Sequence, residues 1–220
     1  MFNIEFLNAA PHTESVCWMS ADEVFYCLVE ANHNDPTQYE ARVLRKLLFE
    51  AQMLIKPEIS LPLSWANALK ATSESWLEAK GRHQIVFYAG VLLKPSKVEV
   101  CTAGDIRVHL TKDESILAVT RDHNMVDDVP ESTPDWVRNR PREFLHSVPT
   151  RYIGDGCTKP PELQIWNITG AYSVIICTSQ VHKYQAAEKY LQPLSGQGIK
   201  QSLSSNLTGA ITKIHFNSSG

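Results

Sequence analysis

Four short runs of β-branched and aromatic residues follow one another between His83 and Thr120, and they limit the possible folds more than any other feature. They read HQIVFYAGVLL, KVEVCTAG, IRVHLTK and ILAVTRD, separated by Pro-Ser, Gly-Asp and Asp-Glu turn signals. Such runs are typical of strands, and strands joined by short turns pair antiparallel with their neighbours. The segment therefore predicts a four-stranded antiparallel meander.

Helical periodicity is concentrated in two neighbouring stretches outside this meander. Apolar residues recur at helical spacing after Pro36, and a second helix is predicted from Trp65 to Leu77. The remaining predicted elements are strands over residues 2–7 and 23–29, strands at LQIWNI, AYSVIICTS and GAITKIHF, and a helix around His182–Leu191. Because helices and antiparallel strands occupy separate stretches, the pattern predicts an α+β layered domain.

The chain length suits one domain with a sizeable core. For 220 residues we predict a single domain over residues 1–216 and a tail over residues 217–220. Residues 125–149, rich in Pro, Asp and Arg, are predicted to form an insertion with one short helix near Trp136. This insertion is either an external recognition element or a plain covering loop.

Charge and composition disfavour several classes of function. The net charge is −3 and the pI is near 6.2, whereas proteins that bind nucleic acid present a basic face, so no nucleic-acid partner is expected. No apolar run approaches the length that spans a bilayer and no signal peptide is evident, so no membrane association is expected. The five cysteines are scattered, which favours a reducing cytoplasm.

Two short motifs at the ends of the meander's last strands point to a family. The first is Gly104-Asp105-Ile106-Arg107 and the second is Thr120-Arg121-Asp122-His123. Their combination and interval resemble the Gly-Asp-x-Arg and Thr-x-Asp-His segments of the metal-dependent type 2C serine/threonine protein phosphatases. Further stretches extend the resemblance over nearly the whole chain: Arg151–Gly154, Val174–Gln180 and Ser205–Thr208.

This resemblance implies a fold and a metal centre. The fold is a four-layer α-β-β-α sandwich with two central antiparallel sheets, and the active site lies at one edge, where acids hold two divalent metals. Phosphate monoesters are anionic and inert, so clustered carboxylates must bind cations that activate a water and neutralise the phosphate.

Several positions that the resemblance assigns to metal ligands carry other residues. Ser15 replaces the aspartate of a Glu-Asp pair that begins at Glu14, and Glu30-Ala31 replaces the Asp-Gly of the next strand. Ser179 and Ser205 replace aspartates near the carboxyl terminus, so hydroxyls stand where a hard dication prefers anionic oxygen. These replacements predict a degenerate metal site.

Gly104, Asp105 and Arg107 are retained from the family motif. Asp105 either assists an accessory metal or, with Arg107, holds the hairpin through a local hydrogen bond or ion pair. Glu30 and Asp105 remain the candidate metal ligands if a weak site survives. No Cys-x5-Arg loop follows Cys177, which is predicted to be a core thiol.

The resemblance and the replaced ligands together predict a catalytically inactive phosphatase-like domain, or pseudophosphatase, with no cofactor. Its partner is expected to be a protein, such as a kinase, a phosphoprotein or an active phosphatase. One alternative is a divergent but active phosphatase that uses Glu14, Glu30 and Asp105 with Mn²⁺ or Mg²⁺. A structural subunit of a permanent assembly is a third possibility.

Overall fold

A computed structural model of the chain describes residues 1–8, 10, 12–31, 41–56, 60–80, 85–113, 115–127, 133–154, 156–178, 181 and 209–217. Its strands are β1 (Phe2–Asn8), β2 (Thr13–Met19), β3 (Val24–Ala31), β4 (Ile85–Lys94), β5 (Lys97–Ala103), β6 (Arg107–Lys112), β7 (Ser115–Val119), β8 (Ile153–Gly154), β9 (Glu162–Asn167), β10 (Tyr172–Cys177) and β11 (Ile211–Phe216). Its helices are α1 (Ala41–Gln52), α2 (Leu61–Lys80), α3 (Asp135–Arg138) and α4 (Arg142–Ser147).

The strands form two antiparallel sheets. The first has the order β1-β11-β10-β6-β7, and the second has the order β2-β3-β4-β5-β9, with β8 paired to β4. Helices and antiparallel strands are segregated along the chain, so the α+β class predicted from the sequence is confirmed. The edge strand β2 was not predicted, and the insertion holds two short helices where one was expected.

The predicted four-stranded meander is wrong at its middle connection. Strands β4 and β5 pair with each other, and so do β6 and β7, but the two pairs belong to different sheets. The chain crosses between the sheets at Gly104, whose φ of +100° lies in a region that favours glycine. Crossing here lets the apolar faces of the two strand pairs pack against each other, which an in-plane hairpin would not allow.

The main core lies between the two sheets. Alternate residues of β3, Tyr26 and Leu28, face Val174 and Ile176 of β10 in this core. Side chains alternate between the two faces of a strand, so one set from each sheet fills the interior. The Tyr26 hydroxyl lies 2.8 Å from Thr212 Oγ1 of β11, and this hydrogen bond joins the sheets.

A second core lies between the other face of the second sheet and helices α1 and α2. Leu44 and Leu47 of α1 are fully buried there, and the Trp65 ring of α2 stacks on Phe25 at 5.7 Å. The Tyr88 hydroxyl of β4 donates to the Pro62 carbonyl of α2 at 2.7 Å. The two helices therefore form an outer layer on the second sheet, and the first sheet packs against the opposite face of that sheet.

Two sequence predictions about the outer surfaces have different outcomes. The helix predicted around His182–Leu191, which would supply the fourth layer, lies outside the described residues. Among the helices that the structure does describe, none combines the length and the apolar character needed to cross a bilayer.

Candidate functional site

One end of the sandwich collects the residues that the sequence singled out. Strands β3, β5 and β10 end there, and β6 begins there, because neighbouring antiparallel strands alternate in direction. Glu30 and Ala31 end β3, Gly104 and Asp105 follow β5, and Arg107 opens β6. Ser179 and Ser205, expected to complete this site, lie outside the described residues.

Glu30 is the carboxylate that β3 contributes on the face between the sheets. It occupies the same face as Tyr26 and Leu28, since it follows them at intervals of two residues. Only 1% of its surface is exposed. Its neighbours across the strands are Thr13 of β2 and Phe87 of β4, so a hydroxyl and a phenyl ring flank it in the sheet.

Glu14 and Ser15 of β2 occupy opposite faces of the second sheet. Ser15 pairs with Leu28 and shares the inter-sheet face with Glu30, whereas Glu14 pairs with Val29, whose side chain packs in the helix-side core. The Glu14 Oε1 atom accepts a hydrogen bond from Arg45 Nε of α1 at 2.6 Å. Glu14 therefore contacts the helix layer and lies on the opposite face of the sheet from Glu30.

Ala31 also points toward the helices. Its side chain is 2% exposed and belongs to the helix-side core, while its backbone N–H donates to the His12 carbonyl at 2.9 Å. Ala31, at a position where the sequence resemblance to the type 2C phosphatases places a glycine, therefore carries a packed methyl group.

Gly104 and Asp105 lie across β4 from Glu30. A Cβ atom built on Gly104 would lie 2.2 Å from Phe87 Cδ1, so the Phe87 ring covers the glycine. Phe87 pairs with Glu30 across β3 and β4, and its side chain lies against Gly104, so this ring stands between the two positions. Asp105 is buried, with 3% of its surface exposed. Glu30 and the retained Asp105 therefore share one end of the sandwich, with Phe87 on the strand between them.

The two family motifs bind each other. Arg107 donates from Nε to Asp122 Oδ1 at 2.7 Å and from Nη2 to Asp122 Oδ2 at 3.0 Å, a bidentate pair in which Asp122 is 2% exposed. Thr120 exchanges hydrogen bonds with Val108, through its Oγ1 at 3.0 Å and its N–H at 3.0 Å. Arg107 therefore forms its ion pair with Asp122. We call the two motifs joined in this way, residues 104–107 and 120–123, the clasp.

His123 completes the clasp and fixes its own tautomer. The backbone N–H of Gly104 donates to the ring nitrogen Nδ1 of His123 at 3.2 Å. The backbone N–H of His123 donates to the Gly104 carbonyl, also at 3.2 Å. Because Nδ1 accepts a hydrogen bond, the ring proton is on Nε2, which donates to Glu162 Oε2 at 3.0 Å. The histidine therefore works as a buried structural link.

Glu162, at the start of β9, joins the clasp to the second sheet, and sequence reasoning missed it. Its Oε2 accepts from Arg121 at 3.0 Å and Arg151 at 3.3 Å as well as from His123. Burial alone would raise the pKa of Glu162, but hydrogen bonds from His123, Gln164 and Arg121 outweigh it and lower the pKa to about 2. Its partners are spread over three separate segments, so no local pattern marks it.

Cys177 lies on the outer face of the first sheet. Its Sγ is 3.7 Å from His109 Nε2, and only 4% of the residue is exposed. Burial raises the pKa of the thiol to about 12; the charge of Arg107 opposes this, and those of Asp122 and Glu30 add to it. A thiol with so high a pKa is a poor nucleophile, which agrees with the prediction of a core residue.

The donors that the described residues present at this end do not by themselves make up a binuclear metal centre. Within the described ranges, no three Asp, Glu, His or Cys side chains come together as a metal site would require. The β2 residue that pairs with Glu30 is Thr13, which carries a hydroxyl, and Glu14 forms an ion pair with Arg45. Hard dications require several anionic oxygens on one centre, so we derive no metal-dependent step from these residues.

Comparison with solved structures identifies the architecture. The sequence matches no protein-family model and no curated protein. The Streptococcus agalactiae serine/threonine phosphatase superimposes with a TM-score of 0.68 at 11% identity, over 99% of this chain and 100% of that one. Staphylococcus aureus Stp1 gives 0.68 at 12% identity, over 100% and 95%. The PstP catalytic domain, in complex with two manganese ions, gives 0.56 at 14% identity, over 98% and 96%.

These similarities extend over nearly the whole chain. At such low sequence identity they establish the fold and nothing about activity. The chain has the fold of the type 2C serine/threonine phosphatases, as the paired motifs predicted. Fold does not determine activity, which depends on the side chains at the site.

Proposed function

We propose that this chain is a pseudophosphatase: a type 2C phosphatase fold that binds a protein partner in phospho-signalling and does not hydrolyse phosphate. The observation that carries the proposal is the orientation of Glu14. Its carboxylate is directed to the helix face and held by Arg45 at 2.6 Å, so it is not available to Glu30. Ser179 and Ser205 support the same conclusion from the sequence, because each replaces a ligand aspartate.

The intact fold explains why loss of catalysis is compatible with a stable protein. The clasp and the Glu162 side chain form hydrogen bonds between protein groups that link the segments at this end of the sandwich. A rigid scaffold of this kind can present loops to a partner without metal. We expect a partner such as a kinase, a phosphoprotein or an active phosphatase, and a cytoplasmic setting.

The test is hydrolysis of p-nitrophenyl phosphate and of a phosphothreonine peptide with added Mn²⁺ or Mg²⁺. We expect wild-type protein to show no more turnover than Glu30→Gln, and no metal-dependent shift in melting temperature. Glu14→Gln is the matched control, since it removes a carboxylate of the same strand pair from the other face.

Metal-dependent turnover that is lost in Glu30→Gln would show that the proposal is wrong. That result would favour the alternative, an active phosphatase that uses Glu14, Glu30 and Asp105, and the Glu14→Gln variant would then show whether Glu14 takes part.

A further inference from the structure

Strand β9 forms an open edge of the second sheet. Among the described residues it pairs with β5 alone, and its register with β5 runs without a shift from Glu162 to Asn167. The other edge strands are less regular or better protected. Register shifts interrupt the pairing of β1 and of β7, while α1 packs on β2 and forms an ion pair with it between Arg45 and Glu14. A regular edge without such protection is a template for a further strand.

The side chains of β9 divide into an engaged face and an exposed face. On the face toward the first sheet, Gln164 Nε2 donates to Glu162 Oε1 at 2.9 Å, and Trp166 Nε1 donates to Gln164 Oε1 at 3.2 Å. Leu163 and Ile165 alternate with these residues and lie on the helix side, 37% and 51% exposed. This face of β9 therefore presents two neighbouring apolar side chains to water at the sheet edge.

The backbone groups of the same two residues also face the open edge. The Ile168 N–H donates to the Ser96 carbonyl on the β5 side at 3.1 Å. Because hydrogen bonds alternate along an antiparallel strand, residues 162, 164 and 166 turn their N–H and C=O groups toward β5. Leu163 and Ile165 turn theirs away from β5. Each of these two residues therefore offers a backbone donor, a backbone acceptor and an apolar side chain at one edge, which is what another strand would satisfy.

Strand β7 of the first sheet lies on the same side of the sandwich as β9. Arg121, just beyond β7, donates to Glu162 at 3.0 Å, and Lys112, just before β7, donates to the Thr169 carbonyl beyond β9 at 2.8 Å. Three large apolar residues of β7 are 46%, 51% and 47% exposed: Ile116, Leu117 and Val119. Both sheets therefore leave apolar side chains exposed on this side, which enlarges the area available to a partner beyond β9 itself.

The sequence of β9 is complementary to a second copy of itself. In an antiparallel pair with a two-fold axis at Gln164, Leu163 lies opposite the second copy's Ile165, and Ile165 lies opposite its Leu163. Directly opposite residues share a face, so four apolar side chains meet while four backbone hydrogen bonds form. An axis at Leu163 would place Ile165 opposite Pro161, which has no N–H. An axis at Ile165 would place Leu163 opposite the polar Asn167.

We propose that the chain forms a two-fold symmetric dimer in which two β9 strands pair antiparallel about Gln164. The second sheets of the two copies then become one continuous sheet, and the exposed residues of β7 extend the contact. The occupant is a second copy because the hydrogen-bonding pattern and the apolar pairing are both satisfied by one six-residue strand meeting itself. This assembly is independent of whether the chain hydrolyses phosphate.

Sedimentation equilibrium over about 1–100 µM protein tests the assembly. One strand pair with neighbouring apolar residues is a small interface, so we expect a reversible dimer with a Kd on the order of 10 µM. Leu163→Lys and Ile165→Lys should each weaken association about tenfold or more, because a charge replaces an apolar contact. Trp18→Lys is the matched control, since Trp18 is 49% exposed on β2 at the opposite edge of the same sheet, and it should leave the Kd unchanged. Equal urea midpoints would show that the three variants are folded.

Disulfide trapping tests the register. In a Cys17→Ser background, which removes the exposed thiol, Gln164→Cys should form an intermolecular disulfide on oxidation. Facing residues at the axis have Cα atoms about 4.5 Å apart, within the range of a disulfide. Ile165→Cys should not form one, because its two copies lie two residues apart along the strands and their Cα atoms are more than about 7 Å apart.

Three results would overturn the proposal. The first is a strict monomer over the whole concentration range, and the second is a dimer that Trp18→Lys weakens as much as the two β9 variants do. The third is a disulfide that forms as readily through Ile165→Cys as through Gln164→Cys. None of these results depends on phosphatase turnover, so they are distinguishable from failure of the pseudophosphatase proposal.

Discussion

Replacing Gly104 by alanine should destabilise the protein by two separable effects. The first is conformational: Gly104 has a φ of +100°, and a residue with a Cβ atom in a left-handed conformation costs about 1–2 kcal/mol. The second is steric, because the new Cβ would lie 2.2 Å from Phe87 Cδ1 and 2.5 Å from Phe87 Cγ. Moving a packed ring to accommodate one extra carbon costs about 1–3 kcal/mol. We therefore expect a total loss of about 3 kcal/mol.

Gly170 offers the control that isolates the conformational effect. Its φ is +76°, and the nearest atom to an added Cβ is Lys112 Nζ at 3.6 Å, an ordinary contact with the end of a flexible side chain. Gly170→Ala should therefore lose only about 1 kcal/mol. In a Phe87→Ala background the cost of Gly104→Ala should fall by about 1 kcal/mol, not by the whole steric amount, because Phe87 Cβ stays 2.7 Å away.

Urea unfolding monitored by tryptophan fluorescence measures these differences. With a urea slope of about 2 kcal/mol per molar, the midpoint should fall by about 1.5 M for Gly104→Ala and about 0.5 M for Gly170→Ala. Equal losses for the two variants would refute the reasoning, since the Phe87 contact would then contribute nothing. An unchanged cost in the Phe87→Ala background would refute it as well.

Two further predictions concern the clasp. Arg107→Met should cost about 3 kcal/mol in the same urea assay, since it leaves the buried Asp122 carboxylate without its bidentate guanidinium. Asp122→Asn should cost about 1 kcal/mol, because Arg107 is 33% exposed and water can solvate it. A larger loss for Asp122→Asn than for Arg107→Met would contradict this asymmetry. Glu162 has its pKa lowered from 4.5 to about 2, so the stability it confers is complete above about pH 5 and is lost as the pH falls toward 2. Because the Glu162 side chain is 20% exposed and partly screened by water, Glu162→Gln should lower the free energy of unfolding by about 2 kcal/mol at pH 7 and by progressively less at pH 4 and pH 3. A loss of stability that does not change with pH would exclude this linkage.

The order of helices and strands was largely predictable from sequence, because it depends on local periodicity and turn chemistry. The strands between Ile85 and Val119 and the two helices on the second sheet follow directly from their apolar patterns. Strand β2 was missed because it is an edge strand with a mostly exposed, weakly alternating pattern. The sheet change at Gly104 was missed because a Gly-Asp turn has the same local sequence signal whether or not the chain leaves its sheet.

The candidate site was only partly predictable. The sequence identified Glu30, Asp105 and Arg107, and the structure places all three at one end of the sandwich. It did not indicate that Glu14 faces the helices, because that depends on the pairing of β2 with β3, which a shift of one residue would reverse. Nor did it identify Glu162, whose partners come together only when three segments fold.

The sequence by itself determined the class of fold, since the paired motifs around Arg107 and Asp122 are local and are spaced by a single strand pair. It also determined that Ser179 and Ser205 are not carboxylates. The tertiary structure alone decided that Arg107 pairs with Asp122, that Phe87 lies between the strands of Glu30 and Gly104, and that Leu163 and Ile165 lie at an open sheet edge. Register, sheet membership and the packing of distant segments set these contacts, and no one of these properties can be deduced from neighbouring residues alone.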